Sequence, residues 1–143
     1  MISNSSKYAM IGVLYLAVNS SEEHKILAKD LSNSTGVPQA YLSKLMQELV
    51  RHQIISSTRG PNGGFYLTDN NREKRLIDII NIIDGDYRLN SCMLSLHKCD
   101  SEHPCPLHDL MGDTKSKFVE RLKDTKVQDL VLDIKQGKSF LSI

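Results

Sequence analysis

The sequence predicts a mainly α-helical fold with one small β-hairpin, and three observations support this class. Apolar residues recur at helical spacing from Tyr8 almost to the end of the chain. One glycine-rich segment, RGPNGG, separates two short β-type runs, residues 54–58 and 65–68. The chain has 143 residues, which suffices for one compact domain, or for a small domain with an arm that pairs with a second subunit.

Composition and charge restrict the class of protein. No run of about 18 or more uncharged apolar residues is present, and the start MISNSSKYAM lacks the features of a secretory signal. We therefore expect a cytoplasmic protein without a membrane partner. The net charge is only +1, but residues 1–75 hold nine lysines and arginines against six acidic residues. This asymmetry directs any contact with phosphate to the first half of the chain.

The first half contains the pattern of a helix-turn-helix. Residues 8–18, YAMIGVLYLAV, predict a buried helix capped by Ser5 or Ser6. A short apolar helix face follows, the tripeptide STG interrupts it, and a second helix begins near Pro38. The first of these faces comprises Ile26, Leu27, Ala28 and Leu31, and the second comprises Val37, Tyr41, Leu42, Leu45, Met46 and Leu49.

The second of these helices has a polar face that suits DNA recognition. Its exposed positions near the start are short or hydrogen-bonding side chains, which fit the major groove and its base edges. These candidate DNA-binding residues are Gln39, Ala40, Ser43 and Lys44. A solvated helix face of an ordinary protein has a similar composition, so this face alone does not establish DNA binding.

The predicted hairpin follows the helix-turn-helix directly, which is the order of a winged helix. Arg59 lies at its base, where it can reach a minor groove or a phosphate, and the glycines permit close approach of the backbone. The candidate DNA-binding residues of this wing are Arg59, Gly60, Asn62 and Gly63. An ordinary glycine-rich hairpin is the alternative interpretation.

The second half predicts further helices and a surface for a second subunit. Gly85 ends a helix whose apolar face is Leu76, Ile79, Ile80 and Ile83. A longer helix then carries Leu107, Leu110, Met111, Phe118 and Leu122, more apolar surface than the remaining core can cover. We expect a partner helix in a homodimer, with packing on the chain's own domain as the alternative. The predicted organisation is a DNA-binding domain at 1–85, a cysteine-rich loop at 86–108, and a dimerisation helix with its tail at 109–143.

Every cysteine of the chain lies in CMLSLHKCDSEHPCPLH, which begins at residue 92. Cys92, Cys99, Cys105 and His108 have the spacing C-x6-C-x5-C-x2-H, and three thiolates with one imidazole suit either zinc or an iron–sulfur cluster. The wide gaps favour a cluster, because zinc sites usually contain closer cysteine pairs. His97 and His103 compete with His108, which is favoured because it can turn back over one helical turn.

Two longer stretches carry a resemblance to a known family. TGVPQAYLSKLMQELVRHQIISSTRGPNGGFYL and SKYAMIGVLYLA closely resemble segments of the winged-helix iron–sulfur regulators of the IscR and NsrR type. The resemblance implies a DNA-binding homodimer with a 2Fe-2S cluster on Cys92, Cys99, Cys105 and His108, although the first cysteine gap is one residue longer than in IscR. In some members an aspartate before the first tyrosine binds a 4Fe-4S cluster. Lys7 occupies that position here, so 2Fe-2S is favoured over 4Fe-4S.

The sequence thus predicts a homodimeric transcriptional regulator, expected to be a repressor, that binds a promoter operator in double-stranded DNA. Its cluster would sense redox state, iron–sulfur status or nitric oxide. A zinc-stabilised DNA-binding protein without a sensing role is the alternative. An enzyme with a reactive cysteine is disfavoured, because no recognisable motif places a base beside a thiol, and no catalytic residues are assigned.

Overall fold

The computed structural model describes residues 2–94 and 97–141, which form eight helices and one two-stranded antiparallel sheet. The predicted fold class is confirmed. In this part of the chain, no helix is both long and apolar enough to cross a membrane. The elements in chain order are α1 (Asn4–Asn19), α2 (Ala28–Thr35), α3 (Gln39–Arg51), β1 (Ser56–Thr58), β2 (Gly64–Tyr66), α4 (Asp69–Arg72), α5 (Leu76–Asp84), α6 (Asp86–Asn90), α7 (His108–Asp124) and α8 (Val127–Lys135).

Helix α1 lies at the centre of the core and packs against α2, α3, α5 and α8. Its side chains Ala9, Val13, Leu16 and Ala17 have no solvent exposure. The prediction that Ser5 or Ser6 caps it was wrong. Ser3 is the N-cap, because its backbone is extended and its Oγ accepts a hydrogen bond from the N–H of Ser6 at 3.0 Å.

The helix-turn-helix is formed by α2 and α3. Gly36 ends α2 with a φ of 73°, a left-handed conformation that glycine adopts without a steric penalty. The predicted start of the first helix at Ile26 was wrong, because α2 begins at Ala28. Ile26 instead exchanges two backbone hydrogen bonds with Phe65, at 2.9 and 2.8 Å, and so attaches the segment before α2 to the hairpin.

The hairpin is present but shorter than the sequence predicts. β1 pairs with β2 so that Ser57 lies opposite Phe65. Ile54 and Ile55 precede β1 and are buried in the core. Thr68 lies beyond β2 and caps α4, a short helix that the sequence pattern did not reveal.

The apolar stripe of α7 is divided between core and solvent. Leu122 is buried and Phe118 packs against the core of the same chain, whereas Leu110 is 71% exposed. The next helix, α8, packs on α1 with Val127 and Val131 fully buried. Only the first half of the α7 stripe therefore remains for a partner to cover.

Asp84, at the end of α5, is a nearly buried carboxylate that holds the start of α1. Its side chain is 4% exposed and accepts hydrogen bonds from both the N–H and the hydroxyl of Ser3, and Arg88 Nε lies 3.8 Å away. Burial by itself would raise the pKa of Asp84. The two hydrogen bonds from Ser3 and the charge of Arg88 outweigh burial, so the pKa lies below its usual value.

We predict that Asp84→Asn lowers the free energy of unfolding by about 1–3 kcal/mol at neutral pH, because Asn is uncharged and turns an NH₂ group toward Ser3 or Arg88. The native pKa is lowered, so the stabilising effect of the carboxylate is complete above the unfolded pKa of about 3.9 and is lost as pH falls through the native pKa. Urea unfolding should therefore show that the difference in free energy of unfolding between wild type and variant becomes smaller below about pH 4.

A matched control is Asp113→Asn, which removes an exposed ion pair of Asp113 with Lys117 (N–O distance 2.8 Å). Exposed pairs contribute little, so this variant should unfold almost as the wild type does. If the two variants lost equal free energies of unfolding at neutral pH, the role assigned to Asp84 would be contradicted.

Candidate nucleic-acid interface and cysteine site

The predicted recognition face lies at the start of α3. Gln39, Ala40 and Lys44 are exposed, and Ser43 is half-buried. The opposite face of α3 is held in the core by four buried side chains, which fixes the direction in which the polar face points. These core residues are Leu42, Leu45, Met46 and Leu49.

Tyr41 connects the recognition face to α1. Its hydroxyl is hydrogen-bonded to Ser5 Oγ, and its ring meets the ring of Tyr8 edge-on, with centroids 5.7 Å apart and an interplanar angle of 88°. The sequence pattern placed Tyr41 in the apolar stripe, but its side chain is at the surface, 38% exposed. The first turns of α1 and α3 are thus in direct contact beside the candidate DNA-binding residues.

The predicted wing residues occupy the turn between β1 and β2. Arg59, Gly60 and Asn62 are exposed. Gly63 is buried inside the turn, where its N–H donates to Gly60 O at 3.0 Å. A Cβ at this position would lie 2.4 Å from Thr58 O, so the turn requires glycine. Gly63 therefore shapes the turn, and the other three residues form its outer surface.

A groove of about 430 Å³ separates α3 from the wing, and it includes Arg51, which the sequence pattern did not single out. Gln47 and Arg51 line it from α3, and Ser57 and Arg59 line it from the hairpin. Arg51 also pairs with Glu48 at 2.9 Å. Because α3 and the hairpin both line this groove, it contains the guanidinium groups of Arg51 and Arg59. Their positive charge suits a phosphate backbone. Arg51 ends the helix three turns after Gln39, and only the fold places it beside Arg59.

The cysteine-rich loop starts at the end of α6 and is held there by backbone contacts. The N–H of Cys92 donates to His97 O at 2.9 Å, and the N–H of Cys99 donates to Asn90 O at 3.3 Å. Cys99 is exposed, whereas Cys92 and Cys105 are partly buried, and no disulfide joins the three. The loop therefore brings its first two cysteines back to the same end of the protein.

His108 is the first residue of α7 and lies beside a thiol. Its ring atom Nδ1 is 3.2 Å from Cys99 Sγ. Its backbone N–H donates a hydrogen bond to the backbone carbonyl of Cys105 at 2.9 Å. The start of α7 therefore turns this histidine toward Cys99. Cys99, Cys105 and His108 line one small cavity together with Met93, Leu107 and Met111.

Cys105 interacts with the other two cysteines. The pKa of its thiol is raised, chiefly by a hydrogen bond with Cys92, and also by burial and by the charges of Cys92 and Cys99. Neighbouring thiolates repel one another, so a positive ion among them would favour the ionised forms. The four predicted ligands thus lie as two contacting pairs, Cys92 with Cys105 and Cys99 with His108.

The side chain of His103, one of the competing candidate ligands, contacts an aspartate. Its side chain is 84% exposed, and its Nδ1 lies 3.1 Å from Asp100 Oδ2. The pKa of Asp100 is lowered, first by the N–H of Glu102 and then by this contact with His103. His103 therefore pairs with an acidic residue outside the thiol group.

The two pairs do not form a site for a single ion. Within residues 2–94 and 97–141, no group of three or more His, Cys, Asp or Glu side chains is arranged to hold one metal ion. A binuclear cluster has a different requirement, because each of its two irons takes two protein ligands. Two soft-ligand pairs, Cys92 with Cys105 and Cys99 with His108, fit that requirement in number and in chemical type.

These elements define a class of protein, a winged helix-turn-helix with a cysteine-rich loop before its long helix. Residues 2–133 match the model of the Rrf2 family, described as iron-dependent transcriptional regulators, and the chain belongs to this family. The match extends into α8.

Similar sequences are also named as transcriptional regulators. The chain is 30% identical over 133 residues to an Aquifex aeolicus protein named as an HTH-type transcriptional regulator, with 92% of this chain and 91% of that protein covered. It is 27% identical over 130 residues to the HTH-type transcriptional regulator IscR of Pectobacterium atrosepticum, with 91% of this chain and 78% of IscR covered. The protein is accordingly a transcriptional regulator.

Solved structures share the fold. CymR, the global cysteine regulator of B. subtilis, superimposes with a TM-score of 0.72 and 21% identity, covering 92% of this chain and 95% of CymR. IscR of T. potens superimposes with a TM-score of 0.70 and 20% identity, covering 99% of this chain and 93% of that structure. Both therefore support the winged-helix architecture.

Proposed function

We propose that this protein is a homodimeric regulator that binds operator DNA through α3 and the wing, and that carries a 2Fe-2S cluster on Cys92, Cys99, Cys105 and His108. The observation that carries this proposal is the gathering of three thiols and one imidazole into two contacting pairs in a chain that also contains a helix-turn-helix. The names of the IscR relatives add support. Loading of this site would alter the affinity for DNA.

DNA binding is supported by the side chains on one surface. The start of α3 offers amide, hydroxyl and ammonium groups, which suit base edges and phosphates. Arg59 and Arg51 supply positive charge on either side of the groove between helix and wing. Lys25 adds a further positive charge next to the wing, because its Nζ lies 5.2 Å from the centre of the Tyr66 ring on β2.

The cluster is supported by the chemistry of its ligands. Thiolates are the usual ligands of iron–sulfur clusters, and histidine replaces them in some. When bound, such a cluster supplies a one-electron redox centre that also responds to oxygen and nitric oxide. The protein's part is to hold the thiolates close together, to present His108 Nδ1, and to limit water through Met93, Leu107 and Met111.

A continuous set of contacts supports coupling from the loop to α1. Ser91, next to Cys92, donates its hydroxyl to Arg88 O at 2.9 Å. The Arg88 side chain faces Asp84, which holds Ser3 at the start of α1. A rearrangement of the loop would therefore move groups that are bonded to the first turn of α1.

The same turn of α1 contacts the recognition helix. Ser5 and Tyr8 both touch Tyr41, which lies between the candidate DNA-reading residues Ala40 and Ser43 on α3. A shift of α1 would thus change the pose of α3 or its freedom to move, and either change alters DNA affinity.

The homodimer is supported by the exposed half of α7. Leu110 is 71% exposed, and Met93 and Leu94 in the adjacent loop are 49% and 61% exposed. Apolar surface of this kind favours association. A second copy related by two-fold symmetry would also place two recognition helices for two half-sites of an operator.

For the DNA surface, we predict different outcomes for two kinds of variant. Arg59→Ala and Lys44→Ala should each weaken operator binding by about 1–3 kcal/mol without changing the preferred sequence, because they remove charge that meets the backbone or a groove. The double variant Gln39→Ala/Ser43→Ala should change the preferred base pairs. Binding-site selection at constant salt distinguishes the two, with Lys138→Ala on the C-terminal tail as the charge control. Selection of the wild-type site by the double variant would contradict the assignment.

For the cofactor, we predict that anaerobically prepared protein contains iron and sulfide and absorbs visible light. Cys92→Ser, Cys99→Ser and Cys105→Ser should each lose most of both, since the thiolate is the preferred donor, whereas His108→Cys should retain a cluster with a lower reduction potential. His103→Ala is the control and should match the wild type, because this residue pairs with Asp100. Stoichiometric zinc without iron would contradict the proposal and favour the zinc-stabilised alternative.

A further inference from the structure

One buried side chain, Asn71 of α4, joins the recognition helix to the wing. It is 4% exposed and lies where the end of α3, the start of β1 and the segment after β2 meet. A buried amide requires hydrogen bonds, because an unpaired polar group in the interior is costly. The partners of Asn71 are therefore informative about what it does.

The amide of Asn71 bonds to three separate segments. Its Oδ1 accepts from Ser56 Oγ at 2.8 Å, and from the N–H and the hydroxyl of Thr68, each at 2.9 Å. Its Nδ2 donates to Gln53 O at 3.1 Å. Ser56 opens β1, Thr68 follows β2, and Gln53 follows α3, so one side chain fixes both roots of the wing to the end of the recognition helix.

The junction that Asn71 holds is strained. Gln53 has a φ of 61°, and within residues 2–94 and 97–141 it is the one residue other than glycine with a positive φ. Such a conformation persists only where the surrounding structure holds it. The N–H of Gln53 donates to Val50 O at 2.9 Å, and its carbonyl accepts from Asn71, so the turn from α3 into β1 is bonded on both sides.

Among the described residues, few hydrogen bonds other than those of Asn71 attach the wing to the rest of the protein. Each strand has three residues, and an isolated two-stranded hairpin of this size is marginally stable. The wing is also attached by the backbone bridge from Ile26 to Phe65, by the bond from Leu67 N–H to Ser20 Oγ at 3.2 Å, and by the burial of Phe65 and Leu67 in the core. The bridge and the bond to Ser20 join the wing to the α1–α2 segment and not to α3.

We propose that Asn71 is a positioning residue for DNA binding, which sets the angle between wing and recognition helix so that Arg59 and the start of α3 contact one DNA site together. This inference rests on the proposed DNA contact of Arg59. Asn71 is itself buried and does not touch DNA. Its effect would pass entirely through the pose of the hairpin.

Three variants separate positioning from stability. Asn71→Ala removes all four bonds. Asn71→Asp keeps the acceptor for Ser56 and Thr68 but replaces the NH₂ that bonds Gln53 O, so it breaks the link to α3 selectively. Val131→Ala is the control, because it truncates a fully buried side chain in α8 and so lowers stability while leaving every hydrogen bond of the Asn71 side chain in place. All measurements are made at a temperature at which every variant is fully folded.

The first test is a double-variant cycle on operator affinity. Asn71→Ala should weaken binding about tenfold, and Arg59→Ala should then cost much less in this background than in the wild type. In the Val131→Ala background, Arg59→Ala should keep its full effect. An equal effect of Arg59→Ala in the Asn71→Ala background and in the wild type would overturn the inference.

The second test needs no DNA. Trypsin cleaves after Arg59, and the fragment ending at this residue reports how firmly the turn is held. Cleavage there should be several-fold faster in Asn71→Ala and Asn71→Asp than in wild type, and unchanged in Val131→Ala. Wild-type rates in both Asn71 variants would overturn the inference. If Arg59→Ala has no effect on wild-type DNA binding, the proposed wing contact fails, and the cleavage rates alone decide whether Asn71 orients the wing.

Discussion

The burial of α1 is the interaction on which the other parts of the structure depend. Ala9, Val13, Leu16 and Ala17 are completely shielded, and burial of a Val or Leu side chain contributes about 1.5–3 kcal/mol. Gly12 lets α1 approach α3 so closely that a Cβ there would lie 2.8 Å from Met46 Cε. The recognition helix, α5 and α8 all pack on this one helix, so its position sets theirs.

The same helix connects the candidate cysteine site to the candidate DNA-binding surface. Its first turn is bonded to Asp84 on one side, next to the segment that leads into the cysteines, and to Tyr41 on the other, within the recognition helix. Ser3 and Asp84 are 81 residues apart in sequence, yet they form one contact. In our proposal, this turn carries a change at the thiols to the DNA surface, whereas Asn71 keeps wing and recognition helix in register for that surface.

Local pattern predicted much of this arrangement, and non-local contacts account for what it did not predict. The helix-turn-helix, the hairpin and the helix that starts at His108 follow from periodicity, glycine positions and capping. The bridge of Ile26 to Phe65 could not be predicted, because a single pairing leaves no periodic pattern. Helix α4 is too short to show periodicity, and its Asn71 resembles a solvated loop residue until the fold buries it. For the candidate site, spacing indicated the four candidate ligands, but only the folded chain pairs Cys99 with His108 and directs His103 to Asp100.

The fold by itself does not specify the signal, since it is shared with a global cysteine regulator as well as with IscR. The central claim is that loading of the cysteine site and DNA binding are coupled through α1. The most direct test measures the affinity of one anaerobic preparation for its selected operator, with iron and sulfide bound and again after their removal, at the same salt concentration and with dimer content verified. We predict affinities that differ at least about fivefold, the lower range of allosteric coupling. Equal affinities, with iron and sulfide shown to be present in the first sample and absent from the second, would contradict it.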